Sequence, residues 1–196
     1  MIAPTRPVEQ PRLILASGSP QRRAILTQLG VPFEVRVSGA AELTGEMPPR
    51  RLVVCNARRK AAAVMASEPA AARLPVLGVD TEVVLDGAVL GKPESAARAL
   101  ATLRELSNRE HTVISGLAFR RGEDETVAVA ETIVRFRALT DAEIAAYVDT
   151  GEWRDRAGGY AIQGRGALLV SEIRGDYLNV VGLPVAELVR VAPELF

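Results

Sequence analysis

Cysteine, histidine, lysine and aromatic residues are all scarce in this 196-residue chain, and each shortage closes a route. One cysteine, Cys55, excludes an intrachain disulfide and fits a reducing compartment, which points to the cytoplasm. One histidine, His111, excludes a histidine-based metal cluster, and its spacing suggests no Ser-His-Asp triad; it reads as structural or exposed. A single tryptophan, Trp153, and scattered tyrosines leave no stacking array for single-stranded nucleic acid. No apolar run approaches membrane-spanning length. The opening segment MIAPTRPVEQP lacks the apolar stretch of a signal peptide. Its three prolines and missing core pattern predict a flexible arm over residues 1–11, ahead of one domain over 12–196. Formal net charge is zero, so no global field draws the chain to nucleic acid or an acidic membrane. Anion binding must therefore be local.

Of 24 basic residues, 22 are arginine; only Lys60 and Lys92 are lysine. A chain that uses arginine as its general surface cation keeps lysine for one of two reasons. Either two solvated positions retained it by chance, or a compact ammonium is needed there, as in phosphate contact.

What is present describes a soluble globular protein, 48% apolar and 24% charged, long enough for one substantial core or two lobes sharing a sheet. In LILASGSPQRRAILTQLG, Leu13 to Ala16 reads as a strand. Ser19 is the N-cap of a helix with Pro20 at its first position; Ile25, Leu26 and Leu29 supply its apolar face and Gly30 its stop. Arg22 and Arg23 then fall in the first turn, where the helix is already partly positive and cations are disfavoured. An anion bound at the small Ser17-Gly18-Ser19 junction would reverse that penalty. Arginines curling to solvent are the other reading. The junction is not a Walker A loop, which needs Gly-Lys-Ser/Thr.

VPFEVRVS predicts a strand, a loop carries Glu42, and Pro48-Pro49 open a helix to about Ser67. On that helix Val53, Ala57, Lys60, Ala61 and Val64 share one face, so Lys60 projects from apolar surroundings, and Cys55 reads as an inert core residue. VLGV predicts a buried strand with Asp80 at its C-terminal end, where α/β sheets place ligand chemistry. Glu82 reads as surface, alternating away from Asp80. Asp86-Gly87 signals a two-residue hairpin that returns Lys92 toward Asp80. A helix over 94–107, strands in HTVISGLAF and VAVAETIVRFRAL, a capping box at Thr140 to Glu143, a glycine-rich tract and a final helix in LPVAELVRV follow. Helices alternate with hairpins, so the fold class is α/β with a mixed sheet. Glu42 and Asp80 are the carboxylates suited to handling a metal ion or a water.

The blocks LASGSPQRRAILTQLGVPFEV, NARRKA, GVDTEVVLDGAVLGKP, RDRAGGYAIQGRGA and VVGLPVAEL resemble, in order, the Maf family of nucleoside triphosphate pyrophosphatases. That resemblance implies a curved mixed sheet flanked by helices, with two lobes around a deep cleft. It also implies hydrolysis of a nucleoside triphosphate to the monophosphate and pyrophosphate with a divalent cation, Mg2+ or Mn2+. By position, Asp80 falls on the family's proton acceptor, and Ser17, Arg22, Glu42, Lys60 and Lys92 on its other polar cleft positions. Catalysis is thus expected of Asp80, Lys60 and Lys92, and metal ligation of Glu42 and Asp80. Substrate contact is expected of Ser17, Ser19, Gln21, Arg22, Thr81 and Gln163. The dTTP/UTP branch carries arginine, threonine and glutamine at three marker positions; Thr81 and Gln163 match, whereas the first is Gln21. The implied partner is a nucleotide rather than nucleic acid or a membrane, and a homodimer is compatible. The alternatives are a nucleotide-binding regulator of cell division with little catalysis, a different base preference, or a protein-interaction domain using the arginine-rich surface.

Overall fold

Leu13–Leu15 is buried along its whole length and forms β1. The computed structural model describes residues 10–44, 47–67 and 74–196; apart from its last two residues, the predicted arm lies outside them. Ser19 caps α1 (Pro20–Gln28), with proline in the first turn as read from the sequence. Gly30, at φ 69°, takes the left-handed turn that ends it, while Leu29 lies just past the helix and is exposed rather than part of its apolar face. β2 (Phe33–Val35) lies parallel to β1, and α2 (Pro49–Ser67) crosses to β3 (Val76–Leu85), which is also parallel to β1.

From β3 onward the sheet is antiparallel. Asp86 and Gly87 both adopt positive φ, the geometry of a tight hairpin turn, and lead into β4 (Ala88–Val89). After α3 (Ala96–Leu106) come β5 (Glu110–Arg121) and β6 (Asp124–Phe136). These two extend beyond HTVISGLAF and VAVAETIVRFRAL into the charged stretch between them, where Arg120 and Arg121 stand opposite Glu125 and Asp124. The capping box is present at the start of α4 (Asp141–Asp149). The glycine-rich tract winds through two short 3₁₀ turns into β7 (Val170–Arg174). α5 (Tyr177–Val181) was not foreseen, since five residues show no helical period; α6 (Val185–Val191) was. Among the described residues the strands form one mixed sheet in the order β2-β1-β3-β5-β6-β7, with β4 on β3.

Strand parity divides the packing. Leu77 and Val79 join Leu13, Ile25, Leu26 and Leu188 in one apolar cluster, and Val83 and Leu85 join Leu103, Phe136 and Ile144 in another on the same face. Helix α2 covers the opposite face. Gly78 and Gly116 let it approach: a Cβ on Gly78 would lie 2.1 Å from the Ala57 carbonyl oxygen, and one on Gly116 2.6 Å from Val53 backbone. Cys55 is half-buried on α2, not a core residue, while His111 and Trp153 are interior. No helix among the described residues is long and apolar enough to cross a membrane.

Candidate active site

β1 pairs with β3 only as far as Leu77, and β4 rejoins β3 at Val84. Between them no described strand lies along this edge of β3, and Asp80 and Thr81 sit in the gap. Alternation sends their side chains opposite ways, each to a different helix.

Asp80 turns toward α2 and is buried. Its Oδ1 accepts from Lys60 Nζ at 2.6 Å and its Oδ2 from Asn56 Nδ2 at 3.0 Å. Lys60 and Asn56 lie one turn apart on α2, so one helix face presents both donors. Lys60 also donates to Glu42 Oε1 at 2.7 Å, and Lys92 reaches Glu42 Oε2 at 3.3 Å. Asn56 in addition accepts from Leu43 N at 2.7 Å, which pins the Glu42 loop beside α2. Burial raises the Glu42 pKa, but hydrogen bonds and charge from Lys60 and Lys92 prevail and hold it below the ordinary carboxylate value. Both lysines of the chain therefore meet the same two-carboxylate group.

Thr81 faces α1. Its hydroxyl lies 2.8 Å from Ser115 Oγ and accepts from Arg22 Nη2 at 3.2 Å. Arg22 also donates from Nη1 to Ser17 Oγ at 3.0 Å and from Nε to the Gly182 carbonyl at 2.8 Å. Burial lowers the Arg22 pKa, against the raising effect of Asp80 and Glu42. The paired arginines thus part company. Arg22 ties the serine loop, β3 and the end of α5 together, and Arg23 is exposed. Internal partners, rather than an anion alone, make the inward position of Arg22 tenable.

Two adjoining cavities of about 410 and 520 Å³ open here. They share Ser19, Gln21, Arg22, Glu42, Lys60 and Lys92. Asp80, Thr81 and Gln163 line the first and Ser17 the second, so every expected site residue borders one space or the other. Ser19 Oγ donates to Gln21 Oε1 at 3.2 Å. The loop that presents Gln163 is braced from behind: Glu152 accepts from Arg165 N at 3.1 Å and Gly166 N at 3.3 Å, and Tyr147 Oη accepts from Ala161 N at 3.0 Å.

Glu82 requires a correction. Residues two apart on a strand share a face, so it points the same way as Asp80 rather than away from it. It is half-buried, and burial, helped by Asp80 and Glu42, pushes its pKa up to about 7. Asn56, Glu152 and Arg156 were also missed; the one available signal was a lone polar residue, Asn56, on the apolar stripe of α2 four positions before Lys60. No group of three metal-ligating side chains occurs among the described residues. The hard oxygens of Glu42 and Asp80, bridged by one ammonium, nonetheless suit a cation such as Mg2+, which takes one or two carboxylates and completes its shell with phosphate and water.

The family described as Maf-like protein matches residues 12–195. The chain belongs to the Maf family. It is 49% identical over 181 residues to the dTTP/UTP pyrophosphatase of Symbiobacterium thermophilum, with 92% of each chain covered. It is 50% identical over 179 residues to that of Moorella thermoacetica, covering 90% of this chain and 91% of the relative. With that of Deinococcus radiodurans the identity is 46% over 181 residues, covering 92% and 91%. The Maf match thus spans every element that contributes to the two cavities, from the serine loop to α5.

Proposed function

We propose that this chain is a nucleoside triphosphate pyrophosphatase that hydrolyses dTTP and UTP to the monophosphate and pyrophosphate, working as one domain over residues 12–196 in the cytoplasm. The observation that carries this is the buried Asp80 carboxylate, oriented by Asn56 and Lys60 at the border of a cavity large enough for a nucleotide. The pyrimidine preference rests on Thr81 and Gln163 and on the named activity of the relatives.

Water attacks the α-phosphorus in line with the bridging oxygen to the β-phosphorus. Asp80 takes the proton of that water, and the P–O bond to pyrophosphate breaks. Asn56 keeps the carboxylate aimed while Lys60, between Asp80 and Glu42, balances charge as it moves from water to leaving group. Lys92, Ser19 and the Ser17 loop bind phosphate oxygens, and Arg22 holds that loop in place. Glu42 and Asp80 would hold the divalent cation, Mg2+ or Mn2+, which neutralises phosphate charge when bound.

Pyrophosphate release from a panel of nucleoside triphosphates, with Mg2+ or Mn2+ present, tests the proposal. Wild type is expected to favour dTTP and UTP. Asp80→Asn is expected to lose about 10²- to 10⁴-fold in rate, the range of a general base, while nucleotide still raises its melting temperature. Equal rates in the two proteins, or no release by wild type from any nucleotide, would overturn it.

A further inference from the structure

The other cations of the site each have an internal partner. Arg22 is bonded to Ser17, Thr81 and Gly182, Lys60 to Asp80 and Glu42, and Lys92 to Glu42. Arg156 differs. It borders both cavities, yet its side chain makes no hydrogen bond or ion pair among the described residues. Its Nε is closed off from water and has no acceptor. A buried donor in this state is costly, and more so on a charged group, so a guanidinium held at two cavities without an internal partner is left for an incoming anion.

The backbone around Arg156 points the same way. Arg156 immediately precedes the turn Ala157–Gly159, and Gly158 N donates to the Gly91 carbonyl at 2.7 Å, one residue from Lys92. Gly158 and Gly159 both have positive φ, and a Cβ on either would come within 2.9 Å of Val83 or Pro93. The segment bearing Arg156 is therefore locked against the segment bearing Lys92, and both cations border the same space. The second cavity is lined by Arg22, Lys60, Lys92 and Arg156 and by the carboxylates of Glu42 and Asp155, while Asp80, the partner of Lys60, borders the adjoining one.

We propose that Arg156 is a further substrate-binding residue, whose guanidinium takes oxygens of the β- and γ-phosphoryl groups and so holds the pyrophosphate end of the nucleotide. This rests on the function proposed above. A planar guanidinium takes two oxygens side by side in a fixed fork, a geometry that a lysine ammonium does not offer.

Calorimetric titration with inorganic pyrophosphate and, separately, with dTMP tests the assignment without relying on turnover. For Arg156→Gln, pyrophosphate affinity is expected to fall about tenfold or more, the loss of charge-assisted hydrogen bonds, and KM for dTTP to rise, with dTMP affinity unchanged. Arg156→Lys is expected to lie between wild type and Arg156→Gln, and it carries the comparison if the glutamine variant does not fold. Unchanged pyrophosphate affinity, or equal loss of pyrophosphate and dTMP, would overturn the assignment. A wild type that hydrolyses dTTP while Arg156→Gln binds pyrophosphate normally defeats this inference alone. A wild type that binds pyrophosphate through Arg156 but hydrolyses no nucleotide defeats the proposed activity and leaves the anion site standing.

Discussion

His111 lies in the interior, its Nε2 2.8 Å from the Tyr160 hydroxyl and its ring edge-on to Phe136 and Tyr160. Tyr160 in turn lines the cavity, so the histidine supports a wall of the candidate site. Burial lowers the His111 pKa from 6.5 to about 4. Between those values the unfolded chain binds more protons than the folded one, so folded stability is complete above pH 6.5 and declines as pH falls toward 4. The difference amounts to about 3 kcal/mol at most. His111→Gln keeps a polar group for Tyr160 and removes the titration. Urea unfolding across this range should show a shallower loss of stability in the variant than in wild type; parallel curves would refute the assignment. Other residues show how far single positions could be read. Asp80 and the two lysines stood out because an isolated acid on an apolar strand and a scarce cation are local signals. The partners of Arg22 were hidden, since Gly182 lies 160 positions away and meets it only once α5 has formed.

Helix α2 brings Lys60 and Asn56 to Asp80, and it does so by lying close against β3 and β5. Its limits and its apolar stripe were legible from Pro48-Pro49 and the helical spacing of Val53, Ala57, Ala61 and Val64. A glycine within a strand hinted at a close backbone approach, but nothing local said which helix would make it. Gly78→Ala would place a methyl 2.1 Å from the Ala57 carbonyl oxygen and force α2 outward. Overpacking of this kind costs about 1–3 kcal/mol, and more where backbone must move. Denaturant unfolding should report that loss, and pyrophosphate release should fall with it because Lys60 and Asn56 move away from Asp80. A variant as stable and active as wild type would show that the helix has room to give.

Across the whole molecule, the candidate site lies where β1 and β4 leave part of one edge of β3 without a described strand beside it, between two apolar clusters. The mixed sheet was legible from the alternation of helices and hairpins, whereas this gap was not, because it depends on how short β1 is and where β4 rejoins. Glu82 was misplaced for a simpler reason, a slip in strand parity. The central claim is that water attacks the α-phosphorus beside Asp80, and hydrolysis of dTTP in ¹⁸O-labelled water tests it most directly. Mass spectrometry should find one labelled oxygen in dTMP and none in pyrophosphate; label in pyrophosphate, or release of dTDP and phosphate, would contradict it.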